Sequence, residues 1–356
     1  MKVCIFNGDM SRGGGTERIT QLLANALAED ENYDVWVMNC RNDKGNSYYP
    51  LSDRVCMETL PNVSFLKKIK ALRKFLKGNQ IDVIINVDVM LGMYSFPATF
   101  GVKTRVIAWE MFNISNDIGS KHTKTIRKLS LRCGAYYVNQ TKGDMEAFLK
   151  VYKVRCPITY IYNPCAKNEE YIDYDRCSKT IMTAGHFFYT KGYDLALEAA
   201  KFVFDKHPDW QWRFIGDGAH FDSLKMKATE YGLENNVVFA GRTNQIAEEY
   251  KKAALYVMTS RTEGFGLVLT EAKSYNLPTI AFDVDFGPRE IIEHEKSGYL
   301  VKAFDVEHMA KCICELIENE EKRVLFASHA KDNLGTFSQE NFVRAWKNIL
   351  EQIKGK

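Results

Sequence analysis

Read for its apolar and polar positions, the chain repeats one unit: a short apolar run, a loop rich in glycine or charge, then a stretch of helical period. Val3-Cys4-Ile5-Phe6 predicts a strand and Gly13-Gly14-Gly15 a loop. Thr16 is placed to cap a helix through Ile19, Leu22, Leu23, Ala26 and Leu27. Val35-Trp36-Val37-Met38 predicts a second strand. Residues 64–77 predict an amphipathic helix, with Phe65, Leu66, Ile69, Leu72, Phe75 and Leu76 on its apolar side. Further strands are predicted at 81–87, 105–109 and 135–139, with residues 111–124 as a polar loop carrying His122. After Asn163-Pro164, residues 167–179 read as a polar linker.

The rhythm then restarts. Strands are predicted at 180–184, 212–215, 237–240, 254–258, 279–282 and 298–301, and nearly every one ends in a glycine or charged loop. Strand-helix alternation predicts an α/β protein with parallel sheets, whose strand carboxyl ends form the binding crevice. We expect an N-terminal domain over 1–165 and a second over 166–339. A last helix, 340–356, carries Phe342, Trp346, Ile349 and Leu350 as its apolar stripe and is expected to pack back on the first domain.

The densest candidate chemistry lies in Ser260–Glu271, S-R-T-E-G-F-G-L-V-L-T-E. A strand, a glycine turn carrying Glu263, and a helix carrying Glu271 place amides where an anion fits and a carboxylate where vicinal hydroxyls fit. Phosphate plus diol describes a nucleotide sugar. The bland alternative is a strand-helix turn with solvated acids.

Composition narrows the class. The 356 residues are 46% hydrophobic and 26% charged, ordinary for a water-soluble chain of two domains. No apolar run approaches the roughly 20 residues that span a bilayer. The N-terminus enters a strand without a signal-peptide pattern, and the nine cysteines are scattered, so a cytosolic, reduced protein is expected. Cys312 and Cys314 lack a partner pair for a metal, and no metal site is expected. Charge is uneven. Residues 1–163 hold 23 Lys+Arg against 15 Asp+Glu, and the remainder 25 against 30. Within the basic half, the 64–77 helix carries Lys67, Lys68, Lys70, Arg73, Lys74 and Lys77 with no acid. That pattern fits an anionic membrane surface or acceptor, against a null in which the lysines only solvate the domain.

Several motifs in order resemble retaining glycosyltransferases of family 4, which have the GT-B fold of two Rossmann-like domains with an interdomain cleft. They are Gly185-His186 with Lys191-Gly192, Gly216-Asp217-Gly218, Val238-Phe239-Ala240-Gly241, the Glu263/Glu271 pair, Gly287-Pro288-Arg289-Glu290-Ile291-Ile292, and Gly14-Gly15-Thr16-Glu17-Arg18. The last is similar to the Gly-Gly-Ala-Glu-Arg loop of members that build bacterial surface glycans. The resemblance spans nearly the whole chain and implies roles. Lys191 contacts the donor diphosphate, Glu271 the ribose, and Glu263 the transferred sugar, helped by backbone around Gly264, Phe265, Gly266 and Leu267. Gly185, Gly216, Gly218, Gly241 and Arg242 belong to the donor loops, and Gly14 and Gly15 assist phosphate. His186 stands where the family has arginine, and it cannot form arginine's bidentate phosphate contact; Arg242, Arg289 and Arg12 are the candidate substitutes. Met111 stands where related enzymes show histidine, leaving Glu110 and His122 as local candidates.

The resemblance implies transfer of a hexose or N-acetylhexosamine from a nucleotide diphosphate sugar, a UDP-sugar by expectation, to a glycan or lipid-linked acceptor with an α-linkage. The acceptor hydroxyl attacks from the leaving-group face and the diphosphate takes its proton, with protein cations in place of Mg²⁺ and no cofactor. Cytoplasmic residence, peripheral on the inner membrane face, follows from the acceptor class. Three alternatives stay open: an epimerase or phosphorylase of the same fold, a catalytically dead scaffold, and a basic nucleic-acid- or membrane-binding protein. Nucleic acid is disfavoured because aromatics in the basic helix are confined to Phe65 and Phe75.

Overall fold

The computed structural model describes residues 1–115, 122–165 and 173–355. They divide into two compact units, one of residues 1–164 with 340–356 and one of residues 165–339. Residues 167–172 of the expected linker and 116–121 of the expected loop lie outside the described residues.

Unit 1 runs β1 (Lys2–Asn7), α1 (Gly15–Ala28), β2 (Asp34–Asn39), β3 (Val55–Thr59), α2 (Phe65–Gly78) and β4 (Val83–Val87). It continues through α3 (Gly92–Thr99), β5 (Arg105–Trp109), α4 (Thr123–Cys133), β6 (Tyr136–Asn139), α5 (Lys142–Val151) and β7 (Ile158–Tyr160). Its sheet is parallel, ordered β3-β2-β1-β4-β5-β6-β7. The chain moves outward from β1 to β3, then returns to lay β4 against the other side of β1. Val3 pairs Val83 and Ile5 pairs Ile85 in that register. β4 is buried along its whole length, as a central parallel strand covered on both faces requires. Leu72, Phe75 and Leu76 of α2 pack with Ile84 and Val106 in one cluster, and Ile126, Leu131 and Phe148 pack with Ala108 and Tyr137 in another.

Unit 2 runs β8 (Thr180–Ala184), α6 (Tyr193–Lys206), β9 (Gln211–Ile215), α7 (Phe221–Glu230), β10 (Val237–Gly241), α8 (Ile246–Lys251) and β11 (Leu255–Met258). Then follow α9 (Leu267–Ser274), β12 (Thr279–Asp283), α10 (Pro288–Ile291), β13 (Gly298–Lys302), α11 (Val306–Glu318) and α12 (Glu320–Ser328). This sheet, also parallel, is ordered β10-β9-β8-β11-β12-β13. The same reversal recurs, with β8 beside β11 as β1 is beside β4. A last helix, α13 (Gln339–Lys354), contributes its residues from 340 onward to unit 1. There Trp346 is fully buried with its ring 4.6 Å from that of Trp109, and Lys347 pairs with Asp30.

Three departures from the sequence reading have local causes. α1 begins at Gly15 with Gly14 as its cap in extended backbone, so Thr16 lies inside the first turn and its carbonyl accepts from the Thr20 hydroxyl. β3, β7, α3, α4 and α5 go unpredicted: β3 is an edge strand with one buried residue, β7 a three-residue edge strand with none, and α3 contains Pro97. α2 forms as predicted, yet only Leu72, Phe75 and Leu76 of its apolar side are buried, while Phe65 and Leu66 stay exposed.

Candidate active site

In unit 2 the loops leaving β8, β9, β10 and β11 are tied together at the carboxyl edge of the sheet. The Gly185 amide donates to Ile215 O, the Phe187 amide to Asp217 O at 2.7 Å, and the Gly216 amide to Gly241 O at 2.8 Å. This crowding explains the glycine at 216: its φ is +139° and a Cβ there would lie 2.0 Å from Gly185 O. Lys191 and Glu263 follow β8 and β11, the two strands flanking the topological reversal, where open α/β sheets bind ligands.

Their side chains meet. Lys191 Nζ lies 2.7 Å from Glu263 Oε1, and the Ser260 hydroxyl donates to the same oxygen at 2.6 Å. Glu263 is almost buried while Lys191 remains a third exposed, so the pair presents its cationic end outward. Gly266, at φ +96°, turns the chain from this carboxylate into α9. No side chain caps α9, so its first amides face outward with the positive end of the helix dipole. One turn in, Glu271 accepts from the Tyr250 hydroxyl at 3.1 Å, which orients the carboxylate. Phe265 is buried against Phe337 and anchors the turn from beneath.

The candidates for the missing arginine sort clearly. Arg289 pairs with Asp283 at 2.9 Å, and Arg12 pairs with Glu17 in unit 1. Arg242 and His186 each lie 3.9 Å from Asp217 Oδ1, and both are about half exposed. One Asp-x-Asp does stand at a strand end: Asp283-Val284-Asp285 closes β12, with Asp283 already held by Arg289. Among the described residues no cluster of three His, Cys, Asp or Glu is arranged to hold a metal.

In unit 1 Gly14 and Gly15 open α1, and the loop before them is stitched down. The Asp9 amide donates to Asn7 Oδ1, the Met10 amide to Asn39 Oδ1, and the Ser11 amide to Asp9 Oδ1. Glu110 is fully buried: Arg127 Nε donates to its Oε2 at 2.8 Å and the Tyr137 hydroxyl at 2.7 Å. Arg127 also donates to Asn113 O and Ile114 O, and Asp144 accepts from the Ile114 amide and from Asn139. Glu110, the local candidate for chemistry, is thus the internal anchor of the segment from 111 to 115. Burial pushes the Asp144 carboxyl up to about 7 despite those donors. His122 is exposed where α4 begins. On α2, Lys68 donates to Cys40 O and Arg73 to the carbonyls of Ala98 and Phe100, while Lys67, Lys70 and Lys74 are exposed.

Sequence reasoning missed the partners. Tyr250 and Arg127 orient Glu271 and Glu110 from 21 and 17 residues away, where distance in sequence carries no signal. Ser260 was the exception, standing three residues before the acid it holds.

Comparison with known proteins agrees with this architecture. The family profile described as glycosyl transferases group 1 matches residues 174–333. A protein of Haemophilus influenzae named as an uncharacterized glycosyltransferase is 29% identical over 98% of this chain and 99% of its own length. An N-acetyl-D-galactosaminyltransferase of Campylobacter jejuni, named for a diNAcBac-PP-undecaprenol-linked saccharide, is 26% identical over 96% of each chain. The solved structure of Anabaena Alr3699/HepE with UDP and glucose superposes with a TM-score of 0.82 at 17% identity, covering 98% of this chain and 99% of that one. Residues 174–333 therefore match the glycosyl transferases group 1 domain, and the two Rossmann-like parallel sheets are those of the GT-B fold.

Proposed function

We propose that this protein transfers a hexose or N-acetylhexosamine from a UDP-sugar to a glycan or lipid-linked acceptor, with retention and an α-linkage, in bacterial surface-glycan biosynthesis. The observation that carries the reading is the Lys191–Glu263 pair beside the uncapped start of α9. When the bond from the sugar to the diphosphate breaks, negative charge grows on the departing oxygen. Lys191 and the first amides of α9 are fixed positive elements there, and preorganised electrostatics of this kind is usually the largest catalytic contribution. Arg242 supplies a further positive edge, in place of Mg²⁺. Glu263 holds sugar hydroxyls and, through its hydrogen bond, fixes the Lys191 rotamer. Glu271, oriented by Tyr250, holds the ribose diol. The acceptor hydroxyl approaches from the leaving-group face, and its proton passes to the departing phosphate.

Unit 1 is the acceptor side in this reading. Its α2 supports an acceptor presented at an anionic membrane: Lys67, Lys70 and Lys74 are exposed beside Leu66, which is 68% exposed, and Phe65. No helix among the described residues is long and apolar enough to cross a membrane, which suits peripheral attachment at the cytoplasmic face. The UDP bound in Alr3699/HepE and the undecaprenol-linked saccharide in the Campylobacter jejuni relative's name support the donor and acceptor classes.

The test is a thermal-shift panel of UDP-, GDP-, ADP- and dTDP-sugars. Bound donor stabilises the fold by mass action, about 2.7 kcal/mol at a hundredfold excess over Kd. A shift selective for UDP-hexoses supports the reading, and no shift with any nucleotide sugar contradicts it.

A further inference from the structure

Unit 1 repeats the topology of unit 2, and its reversal point holds a carboxylate that the donor reading does not use. In unit 2 the reversal lies between β8 and β11, followed by Lys191 and Glu263. In unit 1 it lies between β1 and β4, followed by the glycine loop and by Asp88.

Asp88 is unusual in its backbone. Its φ is +91° and ψ +121°, outside the left-handed well that short polar residues visit. Such a conformation costs on the order of 1–3 kcal/mol, and residues so held cluster where ligands bind. The structure holds it from two sides: its amide donates to Trp109 O at 3.2 Å, and its Oδ1 accepts from the Met90 amide at 2.8 Å. Oδ2 makes no hydrogen bond among the described residues. Glu110 and Arg127 face it from β5 and α4, and Arg12 faces it from the glycine loop. Burial, reinforced by Glu110, raises its pKa to about 6, so the group is poised both to accept from and to donate to a neutral hydroxyl.

We infer that Asp88 is an acceptor-binding residue, whose Oδ2 takes a hydroxyl of the acceptor sugar at the carboxyl end of β4 in unit 1. The inference rests on the glycosyltransferase reading above.

The test uses the full chain and three probes: octyl α-D-glucopyranoside, octyl α-D-galactopyranoside and octyl N-acetyl-α-D-glucosaminide, each below its micelle-forming concentration. Binding is followed by saturation-transfer NMR for the wild type, Asp88→Asn and Asp88→Gly. Asn keeps an oxygen for the Met90 amide and tolerates positive φ; Gly removes the strain with the carboxyl. The expected result is that at least one glycoside binds the wild type and is weakened about tenfold or more in both variants, the factor for one hydrogen bond to a charged group. Asp88→Gly should unfold at an equal or higher temperature. Glycoside binding within about twofold of the wild type in either variant, or no glycoside binding by the wild type, overturns the inference. UDP-induced thermal shifts run in parallel and are expected in all three proteins. Their absence from the wild type would strike the donor assignment and leave the Asp88 comparison standing.

Discussion

Lys191 Nζ lies 2.7 Å from Glu263 Oε1, joining the loops that follow β8 and β11 at the reversal of the second sheet. The contact positions a cation while leaving it partly open. Glu263 is also held by Ser260, so it is the fixed member and Lys191 the one it directs.

The first prediction concerns turnover. Lys191→Ala should lower kcat about 10²–10³-fold, the range for losing one fixed charge-stabilising donor. Glu263→Gln should cost less. The double variant should fall well short of the product of the two losses, because the residues act as a unit. Steady-state release of UDP from the preferred UDP-hexose measures all three.

A second prediction separates ribose from phosphate. Glu271→Gln should weaken UDP binding about tenfold, as expected when a hydrogen bond to a charged group becomes neutral. Tyr250→Phe should weaken it less, since it removes only the 3.1 Å bond that orients Glu271. With 2′-deoxy-UDP the difference between wild type and Glu271→Gln should shrink, readable by isothermal titration.

The third is a pH dependence of stability. The Asp144 carboxyl, ordinarily near 3.8, is raised to about 7 by burial. Between those values the folded state holds more protons than the unfolded chain, so this group's contribution is fully present below about pH 3.8 and is lost as pH rises through about 7. Asp144→Asn should flatten the fall in stability between pH 5 and 7, by at most about 1.4 kcal/mol per pH unit. Urea melts of both proteins across that range measure it.

The fourth tests the return of the chain to unit 1. Trp346 is fully buried against Trp109 and Phe342. Trp346→Ala should cost about 3–5 kcal/mol of stability. Phe342→Leu, which keeps most of the apolar volume, should cost far less by the same denaturant melts.

Much of this fold was legible because its strands are buried on both faces and read as unbroken apolar runs, as in Val83–Val87. β3 escaped because it is an edge strand with a single buried residue, Val55. Gly264, Gly266, Glu263 and Glu271 were legible as a candidate site because they fall together within the twelve residues Ser260–Glu271. The Glu110 network was not: Arg127 and Tyr137 lie 17 and 27 residues downstream, and an arginine in a basic helix reads as surface. Glu110 therefore looked available for chemistry, and burial shows where its charge is spent. Asp88 gave no sign, because its positive φ is imposed by Trp109 and Met90 through the tertiary fold rather than by a glycine in the sequence.

The central claim, retaining transfer from a UDP-hexose at Lys191 and Glu263, is most directly tested by time-resolved proton NMR of the slow hydrolysis of UDP-glucose, UDP-galactose and UDP-N-acetylglucosamine without acceptor. Water then takes the acceptor's place at the same face of the sugar. The account predicts UDP release from one of these donors with the α-anomer of the free sugar appearing first, and its loss in Lys191→Ala. Release of the β-anomer first, or equal hydrolysis by Lys191→Ala, would contradict it.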